Sequence, residues 1–146
     1  MHRMSPETVR DAMVPEPTTL AAGATAQDAG MCLGSPEVRA IFVTEDDGQL
    51  VGVVTRKTLV REVVAAGREP AGVSLREIAE PPNFTLDAGL ELEGAFHFLE
   101  EHDLERVPVV EAEGRLVGVL SRAVVQRRLA EAEPPEGESE ADSLVL

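Results

Sequence analysis

Apolar positions follow the same order twice along the chain. In the second half, the short run Phe84–Leu86 precedes Leu92, Ala95, Phe96 and Leu99. These four are spaced i, i+3, i+4, i+7, the stripe of a helix buried on one side. Two apolar runs, Val107–Val110 and Leu116–Ser121, then flank Glu113-Gly114. A glycine in that slot supplies the positive φ that a tight hairpin demands. Ser121 stands where the N-cap of a closing helix over about Arg122–Ala132 is expected. The first half has the same succession: an extended piece Thr18–Leu20, then Thr25-x-x-Asp28, a capping box opening a helix to about Gly34. Strands Ile41–Thr44 and Leu50–Thr55 flank Asp47-Gly48, and Thr55 caps a helix over about Arg56–Ala66 that Gly67 stops. A short amphipathic piece precedes each unit, Thr8–Met13 and Ser74–Ala79.

The two successions are one internal repeat. Residues 8–63 lie over 74–129 without a gap, at an offset of 66, with 17 identities in 56 positions. Ordinary composition gives roughly one identity in fifteen. The run Gly48-x-Leu50-Val51-Gly52-Val53 returns as Gly114-x-Leu116-Val117-Gly118-Val119, and Thr19 and Arg56 return as Thr85 and Arg122. Each copy reads β-α-β-β-α. A unit of about 60 residues is marginal alone. Two of them form a single α+β body related by pseudo-twofold symmetry, with the sheets packed together and the helices outside. The expected division is 1–69 for the first motif, 70–132 for the second and 133–146 for an acidic tail with the composition of disorder. Clefts are expected where the copies meet, each bounded by strand ends and a helix N-terminus.

Composition narrows the function. The 146 residues carry 13 basic and 27 acidic side chains, a net charge of −14, no Trp, no Tyr and four Phe. Neutralising phosphates takes clustered bases, and stacking bases takes aromatic platforms, so a nucleic-acid polymer is a poor partner. The single cysteine, Cys32, excludes an intramolecular disulfide framework and a multi-cysteine metal site. It falls in a helix expected to pack, with no histidine beside it in the repeat plan. No stretch approaches the roughly 20 apolar residues of a membrane span. Residues 1–13 lack the apolar core of a signal peptide. The expectation is a cytoplasmic protein without a membrane partner.

The repeat resembles a tandem pair of cystathionine-β-synthase (CBS) domains, a Bateman module, over about residues 8–130. The motifs that carry the resemblance are Arg106-Val107-Pro108-Val109-Val110 and the strand–turn–helix runs Gly52-Val53-Val54-Thr55 and Gly118-Val119-Leu120-Ser121. The resemblance implies a regulatory module, not an enzyme. It would bind an adenosine-containing ligand such as AMP, ATP or S-adenosylmethionine between the motifs, form a homodimer, and act on a regulated protein the sequence does not name. It also implies a binding pattern, Gly-h-h-Thr/Ser-x-x-Asp with h apolar. Thr55 and Ser121 supply its hydroxyls, while Thr58 and Val124 stand where the Asp would be. A carboxylate on a ribose hydroxyl contributes roughly 1.5–3 kcal/mol, so its loss weakens binding about ten- to a hundred-fold. The residues expected to line the better-formed site are Thr85, Arg106, Val107, Pro108, Ser121 and Arg122. Thr19, Ile41, Thr55 and Thr58 would line the other. Val107 and Pro108 are expected to wall a base, and Ser121 and Arg122 to meet phosphate at a helix N-terminus.

Two other classes remain. The missing Asp in both copies fits a protein-interaction module whose nucleotide sites have decayed. Acid-rich pieces such as Glu45-Asp46-Asp47 fit a divalent-cation sensor, although His97 and Glu101, four apart, make only one pair of ligands. No Gly-x-Gly-x-x-Gly or phosphate-loop lysine is present. The terminal Leu144-Val145-Leu146 is an apolar end to an acidic segment.

Overall fold

The computed structural model describes residues 7–15 and 17–132. The segment expected to be disordered, 133–146, lies outside them, as do His2 and Glu16. In chain order the elements are α1 (Val9–Ala12), β1 (Val14–Pro15), β2 (Thr19–Ala21), α2 (Ala26–Leu33), β3 (Ile41–Thr44), β4 (Leu50–Val54) and α3 (Arg56–Leu59). A π-helical stretch (Val60–Val64) and a 3-10 turn (Pro70–Gly72) lead to α4 (Leu75–Ile78). The second copy comprises β5 (Leu86–Asp87), α5 (Leu92–Glu101), β6 (Arg106–Glu111), β7 (Arg115–Ser121) and α6 (Arg122–Ala132). The fold is α+β, with two sheets ordered β2-β3-β4 and β1-β7-β6-β5.

The local signals act as read. Thr25 accepts from Asp28 N at 3.1 Å while the Asp28 carboxylate accepts from Thr25 N at 3.0 Å, closing the capping box. Gly48, Gly67 and Gly114 all take positive φ, at 91°, 69° and 82°. The first closing helix keeps the expected span but changes winding after Leu59, where the second copy stays α-helical.

The amphipathic pieces Thr8–Met13 and Ser74–Ala79 form α1 and α4, and each leaves its own copy. Val9 and Ala12 of α1 are buried in the second core with Leu86, Leu92, Leu99, Val107, Val109, Leu120 and Val125. Leu75 and Ile78 of α4 are buried in the first core with Ala26, Leu33, Ile41, Val43, Val54 and Val63. The hydrogen bonds of the exchange are paired by the 66-residue offset. Val9 N donates to Leu90 O (2.9 Å) as Leu75 N donates to Ala24 O (2.8 Å), and Leu92 N donates to Glu7 O (2.9 Å) as Ala26 N donates to Val73 O (2.8 Å). Beyond each helix the chain crosses the other copy's sheet: Val14 pairs with Val119, and Glu80 with Val53.

This crossing explains the glycine in each strand it crosses, Gly52 in β4 and Gly118 in β7. A Cβ on Gly52 would lie 2.7 Å from Glu80 O, and one on Gly118 would lie 2.8 Å from Val14 O and 2.6 Å from Met13 Sδ. The exchanged helices are also latched by charge. Arg76 makes a bidentate pair with Glu45 (2.5 and 2.9 Å), and Arg10 pairs with Glu111 at the equivalent place. The pseudo-twofold axis passes through the hairpin tips, where Gln49 bridges Arg115. There Leu50 N donates to Gly114 O (3.1 Å) and Leu116 N to Gly48 O (3.0 Å).

Candidate functional site

Strand alternation decides which predicted residues can face a ligand, because neighbours along a strand point to opposite faces. Val107, Val109 and Leu120 enter the second core, and Leu86, level with Val109, joins them. Arg106, Pro108 and Ser121 therefore lie on the opposite face. Thr85 precedes Leu86 and shares that face. Arg106 is directly opposite Ser121 across the β6–β7 ladder, with Pro108 opposite Val119. Four of the six residues expected for the better-formed site thus share one surface. Val107 does not: it is 2 % exposed inside the core. Pro108 is buried as well, but on the face away from that core, and is the one apolar wall left on the ligand-facing side.

Arg122 opens α6 beside this surface. Its backbone N donates to Glu105 O (2.8 Å) and its guanidinium pairs with Glu105 (2.5 Å) and Asp103 (3.5 Å). The side chain is half-buried and its charge is offset by two exposed carboxylates, so an incoming anion competes with flexible acids rather than with water alone. The Ser121 hydroxyl accepts from Val124 N at 3.5 Å, a long cap that leaves it available to another partner. Val124, in the place of the Asp, offers no polar atom. The segment that carries Thr85 is anchored by Phe84, whose ring meets Phe98 edge-on at 5.4 Å and His102 at 4.5 Å. Sequence reasoning missed this aromatic anchor; its signal was the bulky triplet Phe84, Phe98, His102 against Thr18, Cys32 and Pro36 in the first copy.

The first copy is built differently at the same places. Thr58 is 1 % exposed. Its hydroxyl accepts from Thr55 N (3.0 Å) and lies 3.1 Å from the Thr55 hydroxyl, which in turn accepts from Thr58 N (3.3 Å). The two hydroxyls satisfy each other and the start of α3 in a closed cap. Arg56 turns to Ser35 O at 2.8 Å. Ile41 is buried in the first core, as Val107 is in the second. Phe42 is buried without belonging to either core cluster, on the strand face opposite Ile41 and Val43, where the second copy has Pro108. Thr19 is exposed and lines a cleft of about 540 Å³ between the copies, with Arg10, Pro17, Thr44 and Leu116.

Among the described residues no group of three or more His, Cys, Asp or Glu side chains could hold a metal ion. His97 is exposed beside Phe96, and Cys32 is half-buried against the first core. No helix among the described residues is long and apolar enough to cross a membrane.

Comparison with known proteins agrees with this architecture. The chain is 31% identical over 124 residues to hypoxic response protein 1 of Mycobacterium tuberculosis, covering 85% of this chain and 86% of that protein. A crystal structure of Hypoxic Response Protein I with two coordinated zinc ions superposes with a TM-score of 0.71 at 30% identity, covering 84% of this chain and 98% of the other. The CBS-pair protein CBSX2 of Arabidopsis thaliana, in a crystal structure in complex with AMP, gives a TM-score of 0.67 at 27% identity, covering 85% and 96%. The family model of the CBS domain matches twice, at residues 9–65 and 75–131. Two tandem matches spanning both copies of the repeat show that this chain belongs to the CBS-domain family.

Proposed function

We propose that the chain is a stand-alone, non-catalytic regulatory CBS pair, built of copies 1–69 and 70–132, that senses an adenosine-containing ligand of the AMP, ATP or S-adenosylmethionine type. The observation that carries this reading is the common face of Thr85, Arg106, Pro108 and Ser121, with Arg122 at the adjoining helix N-terminus. AMP bound to a CBS pair 27% identical to this chain supports the ligand class. In this reading Pro108 backs the base, and Ser121 and Arg122 meet phosphate where backbone N–H groups already favour an anion. Thr85 reaches the ligand from the segment just before β5. The ligand sits in the second copy's cleft only, because Thr55 and Thr58 spend their hydroxyls on each other and the bulky Phe42 stands where the second copy has Pro108. Without the Asp, the ribose is held by neutral groups, and affinity falls about ten- to a hundred-fold below that of a site with the carboxylate. The protein works as a homodimer in the cytoplasm, and ligand binding alters what the pair presents to a regulated protein through differential affinity for two states.

The closed cap of the first copy favours a second reading, an interaction module whose nucleotide sites have decayed. The two zinc ions in Hypoxic Response Protein I keep a divalent-cation sensor in view, although no ligand cluster among the described residues supports it. A dye-based thermal shift against AMP, ADP, ATP, S-adenosylmethionine, Mg²⁺ and Zn²⁺ separates the three. An adenosine compound at a hundred times its Kd adds about 2.7 kcal/mol, several degrees for a domain of this size. Ser121→Ala with Arg122→Ala abolishes that shift. No shift with any nucleotide at millimolar concentration refutes the reading in favour of the interaction module, and a shift with the metals alone favours the cation sensor.

A further inference from the structure

The two copies hold the start of their parallel strand pair by different means. In the first copy Phe42 N donates to Thr18 O (3.0 Å), and Thr19 lies inside the ladder, level with Phe42. In the second copy Pro108 stands in place of Phe42 and has no N–H to give. The parallel pairing there begins one residue later, with Leu86 level with Val109, so Thr85 is left outside the ladder. The far ends of the two pairings are alike: Ala22 N donates to Thr44 O and Ala88 N to Val110 O, both at 3.0 Å. The loss is confined to the end that carries Thr85. At that end, and only in the second copy, three rings meet. Phe84 lies edge-on to Phe98 at 5.4 Å, and His102 lies against both, with centroids 4.5 Å from Phe84 and 4.4 Å from Phe98. The first copy has Thr18, Cys32 and Pro36 at these places.

We propose that Phe84, Phe98 and His102 form a clamp that positions Thr85, in place of the hydrogen bond that Pro108 removes, and that the clamp sets how tightly the second cleft holds its ligand. The three are positioning residues, because they act on the ligand through Thr85. The imidazole is itself held by the end of α5. His102 N, Asp103 N and Leu104 N donate to Phe98 O, Glu100 O and Leu99 O at 3.1, 3.2 and 2.8 Å, with Asp103 at φ 54°. Leu99 is fully buried and Leu104 packs against the same core. The clamp therefore ties an exposed threonine to the second core through ring contacts, whose tilted and edge-on geometry is favourable for aromatic groups. A side chain ordered before the ligand arrives costs less to immobilise on binding. The clamp also accounts for how Pro108 can wall the cleft without loosening the neighbouring segment.

The clamp's role in binding rests on the adenosine reading above. The test is calorimetric titration of the full chain with AMP, ATP and S-adenosylmethionine in turn, for wild type, His102→Ala, His102→Phe, Thr85→Ala and the Thr85→Ala, His102→Ala pair. His102 is exposed, so His102→Ala keeps the fold, which far-ultraviolet circular dichroism checks. It is expected to weaken binding about three- to ten-fold, and His102→Phe, which keeps a ring in the cluster, to restore it. In the Thr85→Ala background the same substitution is expected to cost nothing further, a non-additivity that general weakening of the fold would not produce. A ligand-free readout accompanies the titration: nuclear magnetic relaxation of the Thr85 methyl group, expected to show greater mobility in His102→Ala than in wild type. A wild-type chain that binds none of the three compounds overturns the adenosine reading and the clamp's role together. A wild-type chain that binds one of them overturns the clamp alone in any of three cases: His102→Ala leaves affinity unchanged, its full cost persists in Thr85→Ala, or the Thr85 methyl is equally ordered in both proteins.

Discussion

Gly52→Ala is the substitution whose cost the exchange of helices dictates most directly. Its Cβ would sit 2.7 Å from Glu80 O, 2.9 Å from the Glu80 carbonyl carbon and 3.0 Å from Ala79 Cβ. Two of these three obstacles are backbone, so no rotamer change relieves them. Overpacking of this kind costs about 1–3 kcal/mol. Relief by moving the crossing segment also strains its two hydrogen bonds to the strand, Val53 N to Glu80 O at 2.9 Å and Glu80 N to Val53 O at 3.0 Å. At about 0.5–1.5 kcal/mol each, the total comes to about 2–6 kcal/mol. For a chain of this length that lowers Tm by roughly 6–18 °C. The assay is thermal and urea unfolding followed by circular dichroism at 222 nm, since the chain has neither Trp nor Tyr. Gly94→Ala is the control. It lies inside α5 with nothing within 4 Å of an added Cβ and is expected to stabilise by up to about 1 kcal/mol. Equal midpoints for Gly52→Ala and Gly94→Ala would refute the crossing as the reason for the glycine.

Three further outcomes follow from the same contacts. Thr58→Val removes the reciprocal cap of α3 and is expected to cost about 0.5–2 kcal/mol in urea unfolding, with ligand affinity unchanged; a loss of AMP binding would put the ligand in the first cleft. Val124→Asp places a carboxylate at the open position of the second cleft and is expected to tighten AMP binding about ten- to a hundred-fold by calorimetry. Arg76 holds the Glu45 carboxyl below the usual carboxylate range, and Arg68 does the same to Glu77. A depressed carboxylate stabilises the fold above its unfolded pKa, and that contribution is lost as pH falls through the folded one. Unfolding midpoints should therefore drop below about pH 4.5, and less steeply in Glu45→Gln, whereas an unchanged acid slope would count against the latch.

The sequence carried the repeat, its offset and its string of elements because those rest on local signals. The Thr25–Asp28 box, the hairpin glycines and the i, i+3, i+4, i+7 stripe of α5 each act over a few residues. It did not show that α1 and α4 change partners, since periodicity says which face of a helix is buried and not against what. Gly52 and Gly118 were the available clue, as a glycine in mid-strand marks a close backbone approach. The candidate site was legible in part. Alternation applied to Arg106, Pro108 and Ser121 gives their common face, and the same rule sends Val107 and Ile41 inward. Thr58 looked like a ligand contact by motif position, yet its place three residues after Thr55 also fits the reciprocal cap it forms.

The claim on which the account depends is a single adenosine site per chain, in the second copy's cleft. Isothermal titration of the full chain with AMP measures it directly. The account predicts a stoichiometry of one AMP per chain, abolished by Ser121→Ala with Arg122→Ala and untouched by Thr55→Ala. Two sites per chain, or binding that survives the first pair and disappears with Thr55→Ala, would contradict it.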